Sequence, residues 1–295
     1  MSKLIVLFLV ILMATSVFVG PDKALADSFW TRFQSSSVTI DEDGPHPAPS
    51  AAIDWCGHWD GLSGECANMG CFSSGVTRWK AHADKTWVDL WQSADASGGD
   101  TGSCHQGGPL LARSTFDVTF ECEAGVPTPI NASLNFEVDG YATFASPGVA
   151  NYAMLTVQAG LPGSSGIAGT WVAASSQNNP GSTDGVFTGI NSDALSGSFT
   201  GPIFSPALNV PVSIQIGGIL VLNSHMPNHD PVTGDFWDEA AQGGQGINLP
   251  VGSLVFELPE GCTCNSEAVG IIDNLIDDVV QVESESWGGV KSIFR

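Results

Sequence analysis

The densest run of chemistry-bearing side chains is His225-Met226-Pro227-Asn228-His229-Asp230, followed by Asp235, Asp238 and Glu239. Imidazoles with carboxylates can hold zinc or another transition metal. The oxygens alone can hold calcium in a loop. Pro227 lies between the two histidines, so helical i, i+4 presentation is disfavoured. The expectation is a loop that takes calcium, Ca2+, or no cofactor at all and serves as a solvated acidic turn. A second set is aromatic: Trp55, Trp59, Trp87 and Trp91. Aromatic faces beside hydrogen-bond acceptors are what a neutral glycan needs for stacking. The competing reading is a buried core. In its favour, Trp79, Trp87 and Trp91 would share one face if this stretch were helical.

Cysteine forms the third set. Cys56, Cys66, Cys71, Cys104, Cys122, Cys262 and Cys264 make an odd count. In an oxidising compartment disulfides are the default, with one thiol left over or bridged to another molecule. The expected pairing is one bridge within Cys56, Cys66 and Cys71, then Cys104 to Cys122. Cys262 and Cys264 are too close for an easy mutual bridge, which leaves one of them to reach the amino-terminal cluster. Zinc is disfavoured, because the spacings lack paired Cys-x2-Cys units.

Two short motifs match protease signatures in letters only. Asp100-Thr101-Gly102-Ser103 follows Ser97, Gly98 and Gly99 rather than a buried strand, and no second Asp-Thr-Gly or Asp-Ser-Gly exists to share a proton with it. Gly107-Gly108-Pro109-Leu110 is similar to the segment after the serine nucleophile of chymotrypsin-like proteases. His105-Gln106 stands where that nucleophile would be, so no catalytic role carries over. Paired carboxylates for glycoside hydrolysis could be drawn from thirty candidates, which gives no specificity.

Charge narrows the partners. No Lys or Arg lies between Arg113 and Lys291, while that stretch carries nineteen carboxylates. It cannot form a Lys or Arg salt bridge with itself. Nucleic acid is excluded, since its binding draws on Lys and Arg contacts to phosphate. Anionic membranes and polyanionic glycans are disfavoured for the same reason.

The elements that must position these residues begin with an export signal. Lys3 precedes an apolar run from Leu4 to Val19, then a Gly20-Pro21 break, then Ala24-Leu25-Ala26. This pattern predicts a signal peptide over 1–26, cleaved near Ala26, and a secreted, extracellular or periplasmic location without stable membrane insertion afterwards. Cleavage leaves seven basic and thirty acidic residues, a net charge of −23. Residues 27–50, with Pro45, Pro47 and Pro49, read as an extended arm. Residues 51–112 read as a Cys/Trp-rich segment packed on the main domain. From 113 to 264 the period becomes two. Phe116, Val118, Phe120 and Cys122 alternate with polar residues, as do Ile130, Ala132, Leu134, Phe136 and Val138. Further short strands are expected at Tyr141–Phe144, Tyr152–Ala159, Thr170–Ala174, Val186–Ile190, Ser198–Phe204, Val210–Ile216, Ile219–Leu222 and Gly252–Leu258. Turn residues separate them, so the fold class is all-β, an antiparallel β-sandwich, jelly-roll-like. Within 265–295, the helical tail segment, Ala268, Ile272, Leu275, Ile276 and Val279 predict one amphipathic helix over Ser266–Val282.

The functional expectation is a secreted acidic β-sandwich protein with a non-enzymatic surface, matrix or glycan-binding role. Its partner would be a neutral glycan or cell-surface material. The alternatives are an extracellular hydrolase of neutral polysaccharide using a carboxylate pair, and a calcium-dependent adhesion module.

Overall fold

The computed structural model describes residues 28–35, 38–46, 51–60, 74–97, 105–106, 108–144, 152–174, 182–185, 187, 194–225, 232–236 and 246–276. The chain builds β1 (Ser28–Ser35), β2 (Val38–His46), β3 (Ala51–Asp60), β4 (Ser74–Ala83), β5 (Trp87–Ser97), β6 (His105–Gln106) and β7 (Pro109–Cys122). It continues through β8 (Ser133–Phe144), β9 (Tyr152–Gly160), β10 (Ile167–Ala174), β11 (Ser182–Gly185), β12 (Ala194–Thr200) and β13 (Pro211–His225). It closes with β14 (Val232–Phe236), β15 (Gly246–Asn248), β16 (Phe256–Glu257), β17 (Cys262–Asn265), β18 (Ile271–Ile272) and β19 (Leu275–Ile276).

All ladders between these strands are antiparallel, and two large sheets result. The first runs β11-β10-β9-β13-β7-β1-β2, with β17 added on β7 and β6 on β13. The second runs β12-β8-β14-β5-β4-β3, with β15 and β16 added. Alternation explains the core. On β7, Phe116, Val118 and Phe120 are buried, and on β8 so are Leu134, Phe136, Val138 and Ala142. These side chains share one core with Phe33 of β1, Leu90 of β5 and Trp171 of β10. The two sheets meet in it, where the Phe33 and Trp79 rings stack with centroids 3.9 Å apart. A full burial of this kind contributes roughly 1.5–3 kcal/mol for each large apolar side chain. The sheets pack closely at Gly218 of β13, where an added Cβ would sit 2.6 Å from Ile247 Cδ1 and 2.7 Å from Leu90 Cδ1.

The cationless stretch cannot pair its carboxylates with a Lys or Arg of its own, and hydrogen bonds tie it together. Asn274 spans Phe256, donating to its carbonyl and accepting from its amide, both at 2.8 Å. Ser213 donates to Asp117 Oδ1 at 2.7 Å, and Ser266 to the Asp117 carbonyl at 2.6 Å. The Gln215 amide donates to Gln158, whose own amide donates to the Gly163 carbonyl. Arg113, the last cation before this stretch, lies over the Trp30 ring at 4.4 Å, and Arg32 lies over the same ring at 4.3 Å. The indole donates to Glu42 at 2.7 Å.

One lane of the second sheet has an unusual construction. β14 and β15 lie end to end between β5 and β8. Phe236 pairs with Leu90, while Ile247 pairs with Val88. Gly246 therefore takes the position beside Asp89, directly after Phe236. The chain leaves the lane after Phe236 and re-enters it at Gly246 with no ladder position skipped.

Several expectations are corrected. Trp79, Trp87 and Trp91 lie on strands β4 and β5 rather than on a helix. Asp84 and Lys85, in the tight turn between those strands, reverse the chain, which a helix would have continued through. Within 27–50, read as an extended arm, Ser28–Ser35 and Val38–His46 form the paired strands β1 and β2, with Phe29, Trp30 and Phe33 buried. The expected helix does not form over 266–276. That stretch instead makes the β18–β19 hairpin, turning through Asp273 at φ 49° and Asn274 at φ 66°. Asn and Asp tolerate this left-handed region better than other L-residues. Residues 277–295 lie outside the described residues. Val210–Ile216 and Ile219–Leu222 are one strand, β13, uninterrupted by Gly217 and Gly218.

The cysteine pairing also changes. Cys122 bonds Cys262 across 140 residues, because β17 docks on β7 with those two residues directly opposite. The Cys104–Cys122 pairing is thereby overturned. Cys264 is a free, buried thiol, and burial pushes its pKa up to about 12. Cys66, Cys71 and Cys104 lie outside the described residues, as does the side chain of Cys56.

Candidate functional site

Strand parity divides the second sheet into two faces. Trp79, Ala81, Ala83, Val88, Leu90, Ile247, Phe136 and Val138 are buried on one parity. The other parity carries Lys80, His82, Trp87, Asp89, Trp91, Asn248, Glu137, Asp139 and Tyr141. Except for Asp89, these residues are half-buried or exposed, with Tyr141 at 40%.

Register arranges this face in rows. Lys80 pairs with Trp91, Trp91 with Asp235, Asp235 with Tyr141, and Tyr141 with Ala194. Trp91 and Tyr141 are thus two strand spacings apart, about 10 Å. In the neighbouring row His82 pairs with Asp89, and Gly246 pairs with Asp139. A Cβ on Gly246 would lie 2.2 Å from Asp89 Oδ1, so the carboxyl packs over that glycine. In the third row Trp87 pairs with Asn248, and Asn248 with Glu137. Trp87 stands four residues along β5 from Trp91, about 13 Å. The face therefore carries three aromatic side chains, Trp87, Trp91 and Tyr141, with amide and carboxylate acceptors on the strands between them.

The His82 ring meets Trp87 edge-on, with centroids 4.3 Å apart. Burial holds the His82 imidazole below its usual pKa, and the nearby Asp84 carboxylate partly opposes that shift. The ring stays neutral near pH 7 and supports the indole without adding charge to the face.

Of the expected aromatic set, Trp87 and Trp91 lie on this face. Trp55 pairs with Trp79, and Trp59 with Gly75, in the β3–β4 register. The side chains of Trp55 and Trp59 lie outside the described residues. Tyr141 was not singled out from the sequence. Its place beside Trp91 depends on β14 lying between β5 and β8, a long-range pairing with no local signature.

Two residues of the expected metal set lie on described strands. His225 ends β13, opposite His105 of β6 in the register of the first sheet's lane. Asp235 lies in β14 of the second sheet, directly opposite Trp91. His229, Asp230, Asp238 and Glu239 lie outside the described residues. Among the described residues no group of three or more His, Cys, Asp or Glu side chains could hold a metal ion. Among them, too, no helix is long and apolar enough to cross a membrane.

No family model, curated protein or solved structure matches this chain. The functional reading accordingly rests on the aromatic face and its rows.

Proposed function

We propose that the chain is an exported, non-enzymatic β-sandwich protein that binds a neutral glycan across the outer face of its second sheet. The observation that carries this reading is the cross-strand placement of Trp91 and Tyr141 about 10 Å apart, with Trp87 further along β5. Sugar rings present flat C–H faces that stack on aromatic rings, and their hydroxyls donate to acceptors such as Asn248, Glu137 and Asp139. A chain with a net charge of −22 repels polyanions, which favours uncharged glycans as ligands. A hydrolase reading would draw on Asp89 and Asp139 on either side of Gly246. Asp89 is fully buried, so its carboxyl is badly placed to reach a glycosidic oxygen, and binding without cleavage is the better-supported reading.

The test uses the chain from residue 27 onward, with soluble β-glucan, xylan and mannan as probes in affinity electrophoresis. Trp91→Ala and Tyr141→Ala should each weaken retardation by about tenfold, since one stacked ring is worth roughly 0.5–1.5 kcal/mol beyond its buried area. Retardation by none of the probes, or retardation unchanged in both variants, would reject the proposal. Release of reducing ends from any probe would replace it with the hydrolase reading.

A further inference from the structure

The end of the described chain builds a third, miniature sheet with an apolar outer side. Leu254 forms a bridge with Leu275, and Leu275 pairs with Ile272 across the β18–β19 hairpin. Two backbone bonds reinforce the join, from Gly252 N to the Ile276 carbonyl at 3.1 Å and from Val255 N to the Asn274 carbonyl at 3.0 Å. The inner parity is closed, with Val255 0%, Ile271 1% and Ile276 2% exposed. The outer parity is open, with Leu254 55%, Leu275 41% and Ile272 60% exposed. Three aliphatic side chains thus stand side by side in one row facing solvent. A contiguous apolar stripe on a hydrogen-bonded sheet marks a contact surface rather than scattered exposure.

Carboxylates lie close to the stripe in sequence. Asp273 sits in the hairpin turn between Ile272 and Leu275, and the exposed Glu257 and Glu267 lie three residues after Leu254 and five before Ile272. No cation is available within the whole stretch from Ser114 to Val290. A complementary occupant needs apolar side chains flanked by positive charge. This chain contains one such segment after Arg113: Val290-Lys291-Ser292-Ile293-Phe294-Arg295. Thirteen residues separate Ile276 from Val290, an extended reach of about 45 Å. Closing a loop of that length costs little more than closing a shorter one.

We infer that residues 290–295 of the same chain dock on the Leu254–Leu275–Ile272 stripe, with Ile293 and Phe294 on the aliphatic row and Lys291 and Arg295 against its acidic rim. This docking is independent of the proposed glycan face, which lies on the outer side of a different sheet.

The experiment places photoreactive benzoylphenylalanine at position 272 in the chain from residue 27 onward and maps the adducts by mass spectrometry. Docking predicts a dominant intramolecular adduct to residues 290–295 in the monomer. Lys291→Glu with Arg295→Glu should lower that yield about fivefold or more, from the loss of two exposed ion pairs and their reversal. Salt of about 0.5 M should lower the parent yield in the same direction. The urea midpoint should not change, because neither the stripe nor those cations belong to the core. Hydrogen exchange of 290–295 in the unlabelled chain is a second readout, and its protection should fall in Leu275→Ser. Adducts elsewhere, or no adduct, would overturn the inference. So would an adduct chiefly between two copies, or a yield insensitive to the charge reversal.

Discussion

Gly246 offers the sharpest test of the second sheet. It sits at φ 94°, where an L-residue is strained, and an added Cβ would lie 2.2 Å from Asp89 Oδ1 and 2.7 Å from the Val88 carbonyl oxygen. In Gly246→Ala the backbone conformation costs about 1–2 kcal/mol. Overpacking against a fully buried neighbour adds about 1–3 kcal/mol. The total is about 2–5 kcal/mol. Asp89→Ala removes the nearer obstacle and leaves the strained φ and the Val88 carbonyl. In that background the same substitution should cost about 1–2 kcal/mol less, a coupling that a double-mutant cycle reads directly. The assay is urea unfolding of the chain from residue 27 onward, followed by tryptophan fluorescence. A cost for Gly246→Ala below about 1 kcal/mol would contradict the left-handed placement. Strict additivity with Asp89→Ala would show that the Asp89 carboxyl does not lie over that glycine.

Three further outcomes follow from the cysteines. Replacing Cys122 and Cys262 by Ser opens a loop of 140 residues, and the chain-entropy estimate puts the loss at about 5 kcal/mol, read as a shift of the urea midpoint. The Cys264 thiol is raised from 9.0 to about 12 by burial, so the fold favours its protonated form. That contribution is fully present below pH 9 and is lost as pH rises through the folded value. Unfolding titrations between pH 9 and 12 should therefore lose stability more steeply in the parent than in Cys264→Ala. Iodoacetamide should modify Cys264 at pH 8 only after denaturation, as peptide mapping would show.

The sequence was most legible where one face is buried and the other wet. The two alternating runs, Phe116–Cys122 and Ile130–Val138, lie on or lead into β7 and β8, and the polar partners along those runs point away from the core. It was least legible where periodicity was ambiguous over a few residues. Ile271, Ile272, Leu275 and Ile276 fit a helical stripe and a two-residue hairpin turn equally well, and the left-handed Asp273-Asn274 pair decides between them. The Trp-rich front misled for a related reason. Trp79 lies in the core and Trp87 on the outer face, so residue type alone could not separate packing from display. The disulfide was hidden because β17 reaches β7 through a pairing 140 residues long. The aromatic face was half legible: Trp87 and Trp91 stood out by type, whereas Tyr141 joins them only through strand order.

The end-to-end lane of β14 and β15 bears on the order of assembly. β5 and β8 have no ladder with each other; each pairs with β14 and β15 between them. The second sheet is therefore two half-sheets, β3-β4-β5 and β8-β12, sutured by a lane that arrives about a hundred residues after β8. A chain emerging amino-terminus first must keep both raw edges unpaired until residue 248 is out. The Cys122–Cys262 bond can close only after that. Completion of the aromatic face and sealing of the first sheet are thereby deferred to the same late moment, when most of the chain is already free to fold as one body.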